Sequence, residues 1–458
     1  MEGSHRGLVR PPAKRLRRES AFMGSNPIPS AIEKKMKTYN IWTTGCQMNK
    51  ADSDRLESAL KNLGLSHIDS RNEADLVVLN TCVVRQNAEN KAVGTLTSLK
   101  PSKINNPEKV IALMGCMVGP KTDNLQKQFP YVDVFMQPQQ FDPLINFLSE
   151  NKGFDTDGCL ANVTAAPSIA TFIPIIHGCD KFCSFCIIPY RRGRETSRTI
   201  QDIVNETKML VQRGVKEITL LGQNVDSYGH DLAGSSNLAD LFYELNEINE
   251  IERIRFLTSH PNDMDDSIIE AINDLDKVCE NINLPFQAGN NHILKTMRRG
   301  YTNEEYRALI DKIKSKISNV TLTTDLIVGF CGETDEQFKD SLNLIEDIKF
   351  DKVHSAAYST RTGTIADRKM VDDVPDDVKK DRLTQINESQ EKIVTKINKN
   401  LLNQTFEVLI EGKKEEKWFG RNRNDKLIFL DNSDIMSGET VNVKINKTSP
   451  WYLNGVKI

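Results

Sequence analysis

No stretch of the 458 residues approaches the ~18 uncharged apolar positions that a membrane-crossing helix needs, so a helical membrane protein is excluded. Charge of one sign is also lacking. Sixty lysines and arginines face 63 aspartates and glutamates, a formal net charge of −3. That balance excludes a protein that coats nucleic acid by bulk attraction and leaves only local patches for RNA. A disulfide framework is excluded as well: the nine cysteines are an odd number scattered along a long chain, and no apolar leader opens it. They read as a reduced set, available to bind metal, in a cytoplasmic protein, with an organelle matrix as the alternative compartment. No low-complexity tract and no repeat beyond a strand–helix period is present.

What is there is chain enough for about three domains at ~150 residues each. Residues 1–37 stand apart as a basic tail: Arg6, Arg10, Lys14, Arg15, Arg17 and Arg18 surround Pro11 and Pro12, and no apolar periodicity follows. Disorder is expected there. A dispensable extension, a vector remnant, an organelle leader and an RNA-touching arm all fit.

From Thr38 the texture alternates between strand and helix. Strand signals fall at 39–44, 76–80, 110–114 and 132–135, with helical spacing over 53–63 and 85–99. This alternation predicts an α/β domain over 38–150, a doubly wound parallel sheet with helices on both faces. The loose stretch 151–168 reads as a linker. A second block over 165–401 has strand signals at 172–176, 217–221, 254–258, 281–284, 322–328 and 352–358, with amphipathic helices such as 201–213 and 303–316. Six such units predict a partial (β/α)6 barrel, closed by a charged helix over 376–401. The last segment, 402–458, has short β-rich runs at 406–410, 426–430, 441–445 and 455–458, which predict a small antiparallel β-barrel.

Two cysteine sets carry the chemistry. Cys179-Asp-Lys-Phe-Cys183-Ser-Phe-Cys186 places three thiols in eight residues, on a loop just after the first strand of the second block. Barrel folds put their chemistry at that end. A closed tetrahedral zinc site needs four ligands, which these three supply only by borrowing a residue such as His177. Three thiolates suffice to hold three irons of a [4Fe–4S] cube, leaving the fourth iron open. The second set is spread out: Cys46, Cys82 and Cys116 lie 36 and 34 residues apart, each directly after a strand of the first domain. They converge on the carboxyl edge of one parallel sheet, where α/β proteins bind ligands. A second open-cornered cluster and three unrelated buried cysteines both fit this spacing. Cys159, Cys279 and Cys331 belong to neither set and read as structural.

The CxxxCxxC loop, with Phe185 before its last cysteine, resembles the radical S-adenosylmethionine enzymes. Together with the three-cysteine first domain and the β-module, the chain from Tyr39 onward resembles their methylthiotransferase family. The motifs that carry this are Thr44-Gly-Cys46-Gln-Met-Asn49, Asn80-Thr-Cys82, Gly178-Cys-Asp-Lys-Phe-Cys, Ile187-Ile-Pro-Tyr190, Arg192-Gly-Arg194-Glu-Thr-Ser-Arg198, Leu221-Gly-Gln-Asn224 and Asp325-Leu-Ile-Val-Gly-Phe330. Gly45-Cys-Gln-Met-Asn and Leu221-Gly-Gln-Asn-Val225 are most similar to the MiaB branch, which methylthiolates N6-isopentenyladenosine beside the tRNA anticodon. Cys331 stands where the family usually has proline, and Thr362 and Ile365 replace prolines after Tyr358, all at expected loop positions.

The resemblance implies two [4Fe–4S] clusters, one on Cys179, Cys183 and Cys186 and one on Cys46, Cys82 and Cys116. The first would cleave S-adenosylmethionine to a 5′-deoxyadenosyl radical, and the second would carry a sulfur methylated by another S-adenosylmethionine. Sulfur insertion at an aromatic C–H needs a radical, which no side chain makes unaided. Phe185, Gly222, Gln223, Asn224, Gln287 and Asp325 are the implied cosubstrate contacts, since their segments end strands at the same mouth. Tyr190, Arg191, Arg192, Arg194 and Arg198 offer phosphate forks and a stacking face to RNA. The β-module resembles the TRAM RNA-binding barrel. Its residues 404–458 hold nine Lys/Arg against eight Asp/Glu, so net charge alone does not mark it, and Trp418, Arg421 and Arg423 are its candidate contacts.

Implied partners are a tRNA carrying isopentenyladenosine, an electron donor such as flavodoxin or ferredoxin, and a sulfur donor, with no membrane and a monomeric chain. Methylthiolation of threonylcarbamoyl-adenosine or of a ribosomal-protein aspartate is the alternative. A non-catalytic iron–sulfur RNA-binding protein and a zinc-binding RNA module are the more distant ones.

Overall fold

The central strands of the first module are almost wholly apolar, which places them in a parallel sheet covered on both faces. The computed structural model describes residues 36–458 except 85, 161–167, 235 and 432–433. The disorder expected for residues 1–35 and much of the expected linker lie outside the described residues. Met36 and Lys37, counted with the tail on sequence, open the ordered chain, and Met36 is buried in the first core.

The first sheet contains β1 (Thr38–Thr43), β2 (Ser66–His67), β3 (Leu76–Thr81), β4 (Val110–Gly115) and β5 (Val134–Met136), all parallel, in the order β2-β1-β3-β4-β5. Every residue of β3 and β4 is buried. Leu56 and Leu60 of helix Gln47–Asn62 cover one face together with Leu144 and Leu148 of helix Asp142–Lys152. Leu96 and Leu99 of helix Gln86–Asn105 cover the other. The direction of winding reverses between β1 and β3, so a crevice opens outside their carboxyl ends.

In the second module β6 (Ala170–Pro174) leads to a short antiparallel pair, β7 (Ile176–His177) and β8 (Thr196–Ser197), which brackets the cysteine loop. β9 (Glu217–Leu221) and β10 (Arg253–Leu257) complete a parallel sheet in the order β10-β9-β6. β11 (Asn281–Asn283), β12 (Thr321–Val328) and β13 (Lys352–Ala357) form another. A parallel bridge from Ile254 to Val278 joins the two sheets, so the strands follow chain order around an open arc. Helix Asp376–Lys399 buries Ile386 and Val394 behind it. Ile365, expected in a loop, instead begins helix Ile365–Lys369, capped by the Thr364 side chain.

The third module closes as a barrel of β14 (Thr405–Lys414), β15 (Lys417–Arg421), β16 (Leu427–Leu430), β17 (Thr440–Thr448) and β18 (Leu453–Lys457). Four of its seams are antiparallel. The β16–β18 seam alone is parallel, because β18 folds back from β17 and so runs the same way as β16. Buried Arg253, the first residue of β10, donates to the Arg421 carbonyl at 2.6 Å and to the Glu407 carboxylate at 2.9 Å. Arg255 donates to the carbonyls of Arg423 and Asn422, each at 2.7 Å. The small barrel therefore docks on the amino-terminal side of β9 and β10, away from the cysteine loop. Met36–Ile458 forms one compact unit.

Candidate active site

The cysteine loop leaves β7 through Gly178, whose φ of +72° and whose missing Cβ, which would fall 2.0 Å from the Arg194 carbonyl oxygen, admit only glycine. Ser184 then ties the loop to its surroundings: its N–H donates to Met297 O at 3.0 Å and its hydroxyl to Thr296 O at 2.8 Å, while Ala366 N–H donates to Ser184 O at 2.8 Å. Phe185 packs edge-on against Phe330 and the barrel core. Arg299, which sequence reasoning missed, is buried with Nη1 3.3 Å from Cys183 Sγ. Its Nε donates to the Tyr301 hydroxyl at 3.1 Å and its Nη2 to Pro285 O at 3.1 Å, so the cation is fixed in place. Nothing local in the Arg298-Arg299-Gly300 run reveals this.

Cys46 is the N-cap of helix Gln47–Asn62, Cys82 follows β3 and Cys116 follows β4. Gly45, at φ +127°, lies so close that a Cβ would be 2.7 Å from the Cys82 Cβ. Asn49 Nδ2 donates to Thr44 O at 2.9 Å and Thr81 O at 3.0 Å, tying the ends of β1 and β3 across the switch point. Into this crevice comes Arg192 from the short helix Ile188–Arg192 after the cysteine loop. Its side chain is 2% exposed and reaches Asn49 Oδ1 at 2.9 Å and Asp52 Oδ2 at 3.2 Å. Its charge also acts on the nearby Cys116 thiol, lowering a pKa that burial raises. A site inside the first module replaces the expected RNA contact, because the folded module excludes water and RNA from Arg192 while its carboxylate and thiols need the charge.

The two cysteine sets share one neighbourhood. Cys116, Ile187 and Ile188 belong to a single apolar cluster, against which Cys179, Cys186 and Tyr190 pack. Burial pushes the thiols of Cys116 and Cys179 up to about 11 and that of Cys186 to about 12. Among the described residues no three His, Cys, Asp or Glu side chains gather as a single ion requires. A cube takes each thiolate on a different iron and spreads its donors wider. His177 is held neutral, its pKa pushed down to about 3 by burial and by Arg192, Arg198 and Arg55. Soft thiols, an apolar shell and buried guanidinium charge suit iron–sulfur clusters.

Around the mouth, the buried Asn224 Oδ1 and His260 Nε2 are among the polar atoms that lack partners. Asn224 Nδ2 donates to Asp263 at 2.6 Å, and His260 Nδ1 accepts from Asn262 N–H at 3.3 Å, leaving the proton on Nε2. The mouth thus offers one free acceptor and one free donor to a polar cosubstrate. Thr258 and Gln287, just past β10 and β11, hold φ values of +74° and +65°, strain of the kind that collects at functional sites. Gly222 is required by a close approach, since a Cβ there would meet Ile176 at 2.4 Å. Gln223 is half-buried, and Asp325 accepts from Asn283 Nδ2 at 3.3 Å.

Of the other expected RNA contacts, Arg194 is 70% exposed, pairing with Asp180 and lying 5.3 Å from the Phe182 ring centroid. Tyr190 is half-buried beneath Arg368. Arg191 lies against Gly119, and Arg198 pairs with Glu206 at 2.6 Å. Trp418 packs on the small barrel's core. Arg421 forks onto Glu411 and pairs with Asp425, and Arg423 binds Glu280 and the carbonyls of Asp276 and Val278. Strand parity turns Trp418 inward, and facing carboxylates pair with both arginines.

An open arc of parallel strands with a three-cysteine loop at its carboxyl end is the architecture of a radical S-adenosylmethionine enzyme, and the model of the Radical SAM superfamily matches residues 173–345. Uncharacterized protein family UPF0004 matches 38–137 and the TRAM domain 399–458. The chain belongs to the tRNA-2-methylthio-N(6)-dimethylallyladenosine synthase family. The synthase of Dehalococcoides mccartyi (strain ATCC BAA-2266 / KCTC 15142 / 195) is 47% identical over 418 residues, spanning 91% of this chain and 98% of the relative. That of Acetivibrio thermocellus is 44% identical over 437 residues, 92% and 91% of the two chains. In fold alone the chain is similar to the radical S-adenosylmethionine methyltransferase TsrM of Kitasatospora setae, with a TM-score of 0.52 at 14% identity over 70% of this chain and 75% of that one. Radical S-adenosylmethionine enzymes hold a [4Fe–4S] cluster and S-adenosylmethionine.

Proposed function

We propose that this protein methylthiolates carbon-2 of N6-isopentenyladenosine next to the anticodon of tRNA, with S-adenosylmethionine as both radical source and methyl donor. The observation that carries the reading is that Cys116 of one three-cysteine set and Cys179 and Cys186 of the other pack in one apolar cluster. A second [4Fe–4S] cluster on Cys46, Cys82 and Cys116 is part of the proposal, because three thiolates leave one metal corner open for sulfur. When bound, an open-cornered cube and S-adenosylmethionine supply the radical that an aromatic C–H demands.

The chain's own residues do the rest. Arg299 and Arg192 place positive charge against the two thiol sets. Asn224 and His260 offer their unpartnered acceptor and donor to the cosubstrate. The apolar shell of Ile187 and Ile188 keeps water away from a reactive intermediate. Exposed Arg194 is placed to meet phosphate. The electron donor, of flavodoxin or ferredoxin class, and the sulfur donor come from outside the chain, which acts as a monomer. Among the described residues no helix is long and apolar enough to cross a membrane.

Mass spectrometry of tRNA nucleosides from cells lacking the gene tests the reading: the methylthiolated isopentenyladenosine should vanish and reappear on complementation. Undiminished turnover on RNA without the isopentenyl group would transfer the activity to another acceptor.

A further inference from the structure

In the small barrel, strand alternation sorts the residues into an inner and an outer set. Ile428, Leu430 and Leu453 fill the interior. The register aligns their neighbours into a row across the outside: Gly412, Phe419, Phe429, Asn454 and Lys447. The rings of Phe419 and Phe429 lie 6.4 Å apart, and Tyr452 meets Phe429 edge-on at 5.5 Å. Tyr452 is 41% exposed and Trp451, beside it, 59%. The Ser449 hydroxyl accepts from both of their N–H groups, fixing the turn that presents them.

This face is aromatic but not apolar throughout. Lys444 and Lys447 of β17 are exposed, and neither has an ion pair among the described residues. The nearby carboxylates are already matched, Asp431 by Lys417 at 3.0 Å and Glu439 by Lys457 at 3.0 Å. Rings with free ammonium groups beside them suit unpaired nucleotides, whose bases stack and whose phosphates need a cation.

We infer that the Phe419–Phe429–Tyr452 face, with Trp451 at its edge, is a stacking platform for unpaired RNA bases, and that Lys444 and Lys447 hold the adjoining phosphates. The inference rests on the tRNA reading and assigns the residues that seat the RNA, in place of Trp418, Arg421 and Arg423. Phe419 and Phe429 are half-exposed on the outer face and do not pack on the barrel core, unlike Trp418.

The test uses the full-length, anaerobically purified chain and fluorescently labelled tRNA carrying isopentenyladenosine. Phe429→Ala with Tyr452→Ala should weaken binding about tenfold or more, whereas Phe429→Tyr with Tyr452→Phe, which keeps both rings, should bind like the parent. Lys444→Gln with Lys447→Gln should lower the slope of log K against log salt by about 1.4, two single-strand phosphates' worth. Single-stranded oligouridine should quench tryptophan fluorescence in the parent and not in Trp451→Phe. Parental affinity in the double-alanine variant, or equal losses in the alanine and ring-keeping pairs, overturns the platform while leaving the enzyme's reaction standing. A parent chain that binds no tRNA overturns the functional reading itself. A face that serves a protein would leave every RNA measurement unchanged.

Discussion

Arg192, at the end of the short helix that follows the cysteine loop, reaches across modules to lie 3.2 Å from Asp52 beside Cys116. Both side chains are sealed from water, with 2% and 0% of their surface exposed. Burial pushes the Asp52 carboxyl up and Arg192 pulls it back down. Breaking such a pair leaves an uncompensated buried charge, so Arg192→Gln should cost about 3–5 kcal/mol, while Arg192→Met combined with Asp52→Leu should recover most of the loss. Urea unfolding of the cluster-free chain measures both. Additive losses in the double variant would show that the two residues are not coupled.

Gly45 separates Cys46 from the strand that positions it, at a φ that L side chains rarely adopt. A methyl group there collides with the Cys82 Cβ, so Gly45→Ala should spread the first-module thiols without touching Cys179, Cys183 or Cys186. Iron in the reconstituted protein should fall from about eight atoms per chain to about four. About eight irons in that variant would mean the Cys46 set tolerates the displacement, and about four in parent and variant alike would mean it binds no cluster.

Much of this arrangement is legible in the sequence, and where it is not the reason is physical. β3 and β4 are continuous apolar runs, and Cys82 and Cys116 follow them, so the strand ends could be read directly. β2 is two exposed residues with no pattern to read. Helix Gln47–Asn62 starts before its apolar spacing does, because its first turns bury Asn49 and Asp52 against another module rather than against a core. Arg192 and Arg194 look alike in an arginine-rich loop, and only the first module folding over one of them makes it internal. Trp418 and Phe419 are likewise equivalent on paper. Pairing of Trp418 with the buried Leu430 and of Phe419 with Phe429 sets which of them faces in, and no local signal announces that register.

Arg299 sets a second charge against the cysteine loop, its Nη1 3.3 Å from Cys183 Sγ. A fixed cation favours the more negative, reduced state of a nearby cluster. Arg299→Met should therefore lower that cluster's midpoint potential by roughly 60 mV or more, the one-electron equivalent of a tenfold change. Potentiometric titration followed by electron paramagnetic resonance reads this without turnover. An unchanged potential with full iron content would reduce Arg299 to a packing role.

Asp226 should give the site a pH dependence of stability at the alkaline side. It is buried at the mouth, accepts from the Ser259 hydroxyl at 2.8 Å and the His260 N–H at 2.9 Å, and burial pushes its pKa up to about 8. In the unfolded chain an aspartate titrates near ~3.9. Between those values the folded state holds one more proton than the unfolded state, so its contribution to stability falls as pH rises and levels off above about 8. His260, whose pKa is pushed down to about 2 by burial and Arg299, opposes this only below its ordinary range, where the unfolded chain takes up the proton instead. From about pH 6.5 to about 8 the parent should therefore lose about 1–2 kcal/mol that Asp226→Asn does not, the other titrating groups being common to both. Urea unfolding of the cluster-free chain at the two pH values decides it, and parallel behaviour of parent and variant would mean that Asp226 is ionised in the folded protein.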